Sequence, residues 1–251
     1  MKAMILAAGL GTRLRPLTND RPKALVEVAG RTLLEITIRR LQEFGVREVI
    51  VNVHHFADMV IDYLKENNNF GIRIEVSREE VLLDTGGGLM KAAWFFLEGA
   101  DEPFILHNVD VISNIDLVRM VQFHREQKAL ATLAVQDRET SRYLLFDEHG
   151  QLCGRRKGGG KPDEMVRPAA NLQALAFSGI HAISPRMLTM LTEGGVFSII
   201  DSYLRLAKRK DGILAFRADA YYWRDLGTPQ NVERVERDLR ATSVEQISDE
   251  V

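Results

Sequence analysis

The sequence has little that could tie the chain together covalently or anchor it in a bilayer. Cys153 is the single cysteine among 251 residues, which excludes an intramolecular disulfide framework and a metal cluster built from the cysteines of one chain. No segment approaches the ~18 consecutive apolar residues of a transmembrane helix. The N-terminal apolar run stops at Gly9, and Arg13 follows where a signal peptide would have small residues. We therefore expect a cytoplasmic protein with no membrane partner.

A marked excess of charge of one sign is also missing. Lys and Arg number 33 against 35 Asp and Glu, which gives a formal net charge of −2. This balance offers no electrostatic support for nucleic acid or an anionic membrane as the main partner. Apolar residues make up 45% and charged residues 27% of the chain, which is ordinary globular usage and excludes wholesale disorder.

The sequence does have a regular alternation of apolar strand-like runs and amphipathic helical stretches. Between Ala3 and Gln136, short β-branched runs alternate with segments of helical periodicity such as residues 33–44. This alternation predicts an α/β fold, with a doubly wound, mostly parallel sheet and helices on both faces. A hairpin is predicted around residues 148–150, a helix near 88–97, and a final helix over 228–240. Without a repeat or a linker-like stretch, we predict one domain over residues 1–240 and a polar C-terminal tail over 241–251.

A glycine-rich turn follows the first predicted strand, in the order Gly9-Leu10-Gly11-Thr12-Arg13-Leu14. The dinucleotide-binding fingerprint requires a third glycine where Leu14 stands, and the phosphate loop of ATPases requires Gly-Lys-Ser or Gly-Lys-Thr. The remaining possibility is a turn that presents backbone N–H groups and arginines to a polyphosphate. Taken alone, the glycines fit equally well a tight strand exit with surface arginines.

Longer motifs resemble the sugar-1-phosphate nucleotidyltransferase family. The resemblance rests on the run MKAMILAAGLGTRLRPLT at residues 1–18, and on Pro22-Lys23-Ala24-Leu25. Asp84-Thr85-Gly86-Gly87-Gly88, Phe177-Ser178-Gly179-Ile180 and Trp223-Arg224-Asp225-Leu226-Gly227-Thr228 follow in the order of that family. The resemblance covers roughly residues 1–239 and implies the nucleotide-diphospho-sugar transferase fold. The chain is similar to the short single-domain uridylyltransferases of N-acetylmuramate 1-phosphate, which would place it in cell-wall biosynthesis. Mannose- and heptose-1-phosphate guanylyltransferases are near relatives.

The resemblance implies a role for each motif in binding a nucleoside triphosphate. In the family the signature arginine, here Arg13, holds the departing pyrophosphate, and the signature lysine, here Lys23, contacts the reacting phosphates. The segment 85–88 lies against the nucleobase, where glycines permit a close backbone approach. The nucleotide-binding residues implied in this way are Ala8, Gly9, Gly11, Thr12, Arg13, Thr85, Gly86 and Gly87.

Two aspartates match the metal-binding positions of the family. Asp110 and Asp225 each follow a predicted strand, and Mg²⁺ is usually held by one or two carboxylates together with waters and substrate phosphates. The resemblance therefore implies Mg²⁺ as cofactor. The family commonly has Asn-Gly-Asp, whereas this chain has Asn108-Val109-Asp110. A helix N-cap is a credible alternative for either aspartate alone, but much less so for both together.

The resemblance also implies residues that bind the sugar 1-phosphate. Ser178 and Gly179 match the sugar-facing segment, and Asn171 is a further candidate for the same pocket. Lys157 stands in a segment rich in glycine and basic residues, where the family has a phosphate-contacting lysine. We predict that residues 155–167 form a mobile loop that orders over the sugar phosphate.

The sequence thus predicts an enzyme that transfers a nucleoside monophosphate to a sugar 1-phosphate and releases pyrophosphate, with UDP-N-acetylmuramic acid as the expected product. A guanylyltransferase for mannose or heptose 1-phosphate is the alternative. A non-catalytic regulatory subunit that binds nucleotide sugars is an alternative of another class, but such a protein would be expected to lose Lys23 or a metal aspartate.

Overall fold

The computed structural model describes residues 1–98 and 101–248, with side chains through residue 238. In it, the alternating apolar runs form the strands and helices of an α/β architecture. The strands are β1 Lys2–Leu6, β2 Glu27–Val28, β3 Arg31–Thr32, β4 Glu48–Val53, β5 Arg73–Arg78, β6 Phe104–Asn108, β7 Val111–Ser113, β8 Ala131–Gln136, β9 Tyr143–Phe146, β10 Leu152–Arg156, β11 Glu164–Met165, β12 Gln173–Ile183, β13 Ile213–Arg217 and β14 Trp223–Asp225. The helices are α1 Leu33–Glu43, α2 Ala57–Glu66, α3 Asp84–Lys91, α4 Ala93–Leu97, α5 Leu117–Glu126, α6 Ile199–Lys208 and α7 Pro229–Ser248, and 3-10 turns cover Thr12–Leu14, Lys23–Leu25, Asn68–Gly71 and Pro185–Met190.

The main sheet has a parallel centre with an antiparallel extension. Its order is β11-β10-β9-β12-β6-β1-β4-β5, with β8 paired to β12 and β13 paired to β8. Strands β6, β1, β4 and β5 run parallel, while β12 joins β6, β8 and β9 in antiparallel pairs. The carboxyl ends of β1 and β6 therefore open at the same edge, where parallel α/β sheets bind ligands.

Helices cover both faces of the sheet, as predicted. In β1, Ala3 and Ile5 pack in one buried cluster together with residues of α1, α2 and α5. Met4 points to the other face and packs with residues of α3, α4 and α6. All three strand residues are 0% exposed. Because side chains alternate along a strand, this split confirms the doubly wound arrangement.

Two helices differ from their predicted bounds. The helix expected near 88–97 begins at Asp84 and is interrupted at Ala92, so that α3 and α4 replace it. Helix α7 continues to Ser248, past the end predicted at residue 240 and into the segment predicted as a polar tail. Residues 249–251 of that tail lie outside the described residues. Among the described residues, no helix is long and apolar enough to cross a membrane.

A buried histidine connects α5 to the sheet. His124 is 1% exposed, and its two ring nitrogens each lie 2.9 Å from a hydroxyl, Nδ1 from Thr132 and Nε2 from Ser184. The Ser184 hydroxyl donates to the Ala129 carbonyl at 2.9 Å, so it accepts from Nε2–H, and Nδ1 accepts from Thr132. Burial lowers the pKa of His124 to about 4.

We expect the free energy of unfolding to decrease as the pH falls from about 6.5 to about 4, because the unfolded chain then binds a proton that folded His124 does not. His124→Gln should remove part of this pH-dependent loss of unfolding free energy, at most ~3 kcal/mol. Urea unfolding at several pH values would measure it, with the exposed His149→Gln as control. If the unfolding free energy of His124→Gln fell with pH as steeply as that of the unaltered protein, the ring of His124 would not be neutral and buried as described.

Candidate active site

The glycine loop lies at the carboxyl end of β1 with its backbone open. Ala7 N–H donates to Asn52 Oδ1 at 2.7 Å, but in the part of the chain that the structure describes the amides of Ala8, Gly9 and Leu10 have no protein acceptor. Gly11 has φ +64°, and a Cβ there would lie 3.0 Å from Thr18 Cγ2. The turn therefore requires glycine at residue 11 and leaves amide donors free for an anion.

A cavity of about 360 Å³ opens beside this loop. It is lined by five of the predicted residues: Ala8, Gly9, Lys23, Asp110 and Thr85 at the start of α3. The other lining residues are Leu6, Ala7, Asn52, Glu79, Leu82, Asp84, Asn108, Val109 and Val196. The structure thus brings the glycine loop, the lysine, one metal aspartate and the start of the nucleobase segment into one cavity.

A buried polar network beneath the cavity was not predicted from the sequence. Asn52 Nδ2 donates to Glu79 Oε1 at 2.7 Å, and Glu79 Oε2 accepts from Leu83 N–H at 3.0 Å. Asn52 and Glu79 are each 2% exposed. The network joins the ends of β1 and β4 to the loop before α3. The one signal in the sequence is Asn52, a polar residue within the apolar strand Val49–Val53.

The glycines of α3 contact the protein itself, and this corrects the reason given for them. A Cβ on Gly86 would collide with the Phe197 ring, one on Gly87 with the Gly195 carbonyl, and one on Gly88 would lie 2.7 Å from Glu79 Oε1. Gly86 and Gly87 also donate their N–H groups to the Phe197 carbonyl. These two N–H groups are thus occupied by the protein itself. A contact between Gly86 or Gly87 and a nucleotide stays a prediction.

We expect Gly88→Ala to destabilise the fold by ~1–3 kcal/mol, because the new methyl group would compress the Asn52–Glu79 network. This reverses the usual gain from replacing a helical glycine by alanine. Chemical denaturation would measure the change. Gly194→Ala, where nothing lies within 4 Å of the added Cβ, is the matched control. Equal stability of the two variants would contradict the tight packing at Gly88.

A two-stranded ribbon brings together Asp110 and Asp225, the two aspartates predicted to bind metal. In the antiparallel pair β7–β14, Asp225 is opposite Val111, the residue after Asp110. Leu226 N–H donates to the Asp110 carbonyl at 2.8 Å, and Asp225 Oδ1 accepts from Gly227 N–H at 2.7 Å. Val109 is buried and has no left-handed conformation. Valine in place of the family's glycine therefore leaves this turn unstrained.

Two predicted cations converge on these carboxylates. Lys23, 9% exposed, pairs through Nζ with the Asp110 carboxylate. A Cβ placed on Gly227 would lie 2.5 Å from Asp225 Oδ1 and 3.0 Å from Arg13 Nη2, so the Arg13 guanidinium lies beside Asp225. The predicted nucleotide residue Thr12 begins the 3-10 turn that carries Arg13.

The carboxylates fit a magnesium site that substrate phosphates complete. Among the described residues no three His, Cys, Asp or Glu side chains form a metal cluster, so a cation held by Asp110 and Asp225 would need further ligands from substrate and water. One or two carboxylates with substrate phosphates and waters are the usual ligands of Mg²⁺. The donor set therefore suits a cation that arrives with a nucleotide.

The sugar-facing segment lies in a bulge of β12. The register between β12 and β8 shifts between Phe177 and His181, and Gly179 inside the bulge has φ +76°. A Cβ on Gly179 would lie 2.8 Å from Asn108 Nδ2. Ser178 is 0% exposed, and its Oγ is buried without a hydrogen-bond partner. The structure thus packs the predicted sugar segment against the turn that carries Asp110.

Two predicted sugar residues have partners elsewhere. Asn171 donates to Glu148 Oε2 at 3.2 Å, in the turn between β9 and β10. Lys157 Nζ lies 2.8 Å from Glu164 Oε2. Neither residue lines the cavity, and their contact with a sugar phosphate stays a prediction.

Strand pairing takes up the two ends of the segment 155–167, while residues 157–163 form the connection between the strands. That this segment is mobile and orders over the sugar phosphate stays a prediction. Residues of β10 and β11 pair in an antiparallel hairpin. Arg155 pairs with Glu164 and Asp201, and Arg156 pairs with Asp163. These acidic partners neutralise the cations that the sequence suggested for phosphate binding.

Comparison with known proteins agrees with this geometry. The sequence model of the nucleotidyl transferase family matches residues 2–242. N-acetylmuramate alpha-1-phosphate uridylyltransferase of Caulobacter vibrioides is 36% identical over 239 residues, which cover 91% of this chain and 92% of that protein. Mannose-1-phosphate guanylyltransferase catalytic subunit beta of Xenopus tropicalis is 33% identical over 236 residues, but this chain spans only 62% of its length.

Solved structures share the fold at low sequence identity. HddC from Yersinia pseudotuberculosis, crystallised with GMP-PN, has a TM-score of 0.76 at 21% identity and covers 95% of this chain and 99% of its own. UDP-glucose pyrophosphorylase complexed with UDP-glucose has a TM-score of 0.77 at 18% identity and covers 96% and 98%. With the family model matched along almost the whole sequence, the chain belongs to the nucleotidyl transferase family, as its resemblance to the sugar-1-phosphate nucleotidyltransferases predicts.

Proposed function

We propose that the chain transfers the nucleoside monophosphate of a nucleoside triphosphate to the phosphate of a sugar 1-phosphate and releases pyrophosphate. The observation that carries this proposal is the convergence of Asp110, Asp225, Lys23 and Arg13 beside the cavity at the glycine loop. Two carboxylates and two cations on adjoining turns suit the meeting of two phosphorylated substrates.

Each group has a defined task in this reaction. The free amides of the glycine loop hold the triphosphate, and Arg13 binds the departing pyrophosphate. Lys23 screens the negative charges of the two substrates from each other. The attacking phosphate is already anionic near neutral pH, so no strong general base is needed. Positioning and charge neutralisation therefore supply most of the rate.

Asp110 and Asp225 would hold Mg²⁺ in this proposal. When bound, the ion would neutralise charge on the α-phosphate and on the attacking phosphate. The Lys23–Asp110 ion pair keeps the carboxylate in place before the nucleotide arrives.

We propose uridine triphosphate as the donor and N-acetylmuramic acid 1-phosphate as the acceptor, so that the product is UDP-N-acetylmuramic acid for cell-wall synthesis. The support is the Caulobacter uridylyltransferase, which matches over nearly the full length of both chains.

One observation favours a guanylyltransferase as second candidate. Asp84 lines the cavity, and its Oδ1 accepts from Thr85 N–H at 2.6 Å, which leaves Oδ2 open. A carboxylate in this place could accept hydrogen bonds from the N1–H and amino group of guanine. The Xenopus guanylyltransferase is 33% identical to this chain.

Pyrophosphate release tests both candidates. Initial rates with four nucleoside triphosphates against N-acetylmuramic acid, mannose, heptose and glucose 1-phosphates would identify the pair, with reactions lacking the sugar phosphate as control. We expect the rates with uridine and guanosine triphosphates to differ by well over ~10-fold, because a mismatched base leaves buried polar groups unpaired. A preference for guanosine triphosphate with a neutral sugar would overturn the uridylyl proposal. No pyrophosphate release with any pair would leave the nucleotide-sugar-binding regulatory subunit.

A further inference from the structure

One arginine near the site has no acidic partner. Arg138 follows β8, and among the residues that the structure describes it forms no ion pair. Its Nη2 donates to the Phe177 carbonyl at 2.9 Å, and its Nε is buried without an acceptor. A half-buried guanidinium without a carboxylate at ion-pair distance is costly, because it loses part of its hydration and the Asp225 carboxylate compensates only from farther away.

The Arg138 guanidinium lies over the ring of Trp223. Arg138 Cζ lies 3.7 Å from the centre of the ring. Trp223 is itself fixed, because its Nε1–H donates to the Ser178 carbonyl at 2.7 Å. The bulge of β12 supplies the carbonyls of Phe177 and Ser178 that fix both side chains. The orientation of Arg138 is thus set by three strands, β8, β12 and β14.

The position of Arg138 relates it to the reacting groups. Trp223 and Asp225 are two residues apart in β14, so their side chains lie on the same side of the ribbon. Burial lowers the pKa of Arg138, and the nearby Asp225 carboxylate opposes this effect. Arg138 therefore lies beside the predicted sugar segment and within electrostatic reach of a predicted metal ligand.

The cations expected to bind the sugar phosphate are already occupied. Lys157 and Arg155 pair with Glu164, and Arg156 pairs with Asp163. Arg138 has a planar set of donors, which matches phosphate oxygens, and in the described part of the chain its Nη1 has no protein acceptor. Nothing next to Arg138 along the chain points to phosphate, so its sequence context does not predict a phosphate contact.

We propose that Arg138 binds the phosphate of the sugar 1-phosphate, with Trp223 as the platform that orients the guanidinium. The assignment rests on the proposed nucleotidyl transfer. It differs from a purely structural role, in which Arg138 would only hold the bulge of β12 together.

Steady-state kinetics of Arg138→Met and Arg138→Lys test the assignment, with each substrate varied separately and with an acceptor that the unaltered enzyme uses. Methionine preserves packing on Trp223 but removes the donors. We expect Arg138→Met to raise the KM for the sugar 1-phosphate by about 10-fold to 100-fold, with the KM for the triphosphate changed less than about twofold. Arg138→Lys should recover part of the loss, since it restores the charge without the planar set of donors.

Arg142→Met is the matched control, because it removes the same charge from an exposed side chain of the same loop. If Arg138→Met raised the KM of both substrates equally, the proposal would be overturned. An equally large increase in the KM for the sugar 1-phosphate in Arg142→Met would overturn it as well. A loss confined to acidic sugars, with neutral sugar 1-phosphates unaffected, would also overturn it, since the guanidinium would then bind a sugar carboxylate.

A second measurement does not depend on turnover. Inorganic phosphate should raise the Tm of the unaltered protein and of Arg142→Met more than that of Arg138→Met. Identical shifts in all three proteins would overturn the assignment. Absence of turnover in the unaltered protein would count against the proposed nucleotidyl transfer alone. Failure of the proposed function can therefore be distinguished from failure of the Arg138 assignment.

Discussion

Asp225→Asn is expected to lower turnover by ~10²–10³-fold while the fold stays intact. Asparagine retains an Oδ1 that can accept from Gly227 N–H, and the β7–β14 pairing uses backbone groups only. The change removes the negative charge, and an amide is a poor ligand for Mg²⁺. Pyrophosphate release over a magnesium titration would measure the effect, with unfolding curves to confirm the fold.

Asp62→Asn is the control for this prediction, because Asp62 is an exposed α2 residue whose ion pair with Lys65 is 3.8 Å long. Asp110→Asn should lower turnover to a similar extent, but it should also destabilise the protein because the buried Lys23 loses its partner. The double variant should lose far less than the product of the two single effects, because both carboxylates serve one ion. Near-normal turnover of Asp225→Asn at limiting magnesium would refute the assignment.

Lys23→Met should lower turnover by ~10²-fold or more and also destabilise the protein, because it leaves the Asp110 carboxylate mostly buried without its partner. The Asp110 side chain is 15% exposed, so water replaces the lost ammonium group only in part. Initial rates and urea unfolding would separate the catalytic loss from the structural one.

Adding Asp110→Asn to Lys23→Met gives a sharper test. The double variant should recover much of the stability, because no unpaired charge remains, but none of the activity. If it were as unstable as Lys23→Met alone, the ion pair would not be the source of the destabilisation. If it regained turnover, neither residue would act on the phosphates.

The order of strands and helices was predictable because it depends on local periodicity. Apolar runs such as Val49–Val53 alternate with amphipathic stretches, and the chain encodes that pattern residue by residue. The start of α3 was misplaced because three successive glycines have low helix propensity. Tertiary contacts override that propensity, since the Phe197 carbonyl caps the helix and Glu79 fills the space beside Gly88.

The site was predictable only where its residues stand in a long motif. Lys23, Asp110 and Asp225 were found in this way, and the structure brings them together. Glu79 and Arg138 were missed because their partners, Asn52 and Trp223, are distant along the chain. The ion pairs of Arg155, Arg156 and Lys157 were missed for another reason. Their partners Asp163 and Glu164 stand in the same segment, but the β10–β11 pairing that brings them opposite each other was not predicted.

The β7–β14 ribbon also determines when, during synthesis, the site can first exist. The glycine loop, Lys23 and Asp110 all leave the ribosome early, whereas Asp225 follows in a strand that pairs back onto β7. A domain generally folds as a unit. The two carboxylates can therefore come together only after β14 has been synthesised, when nearly all of the sheet is available to fold.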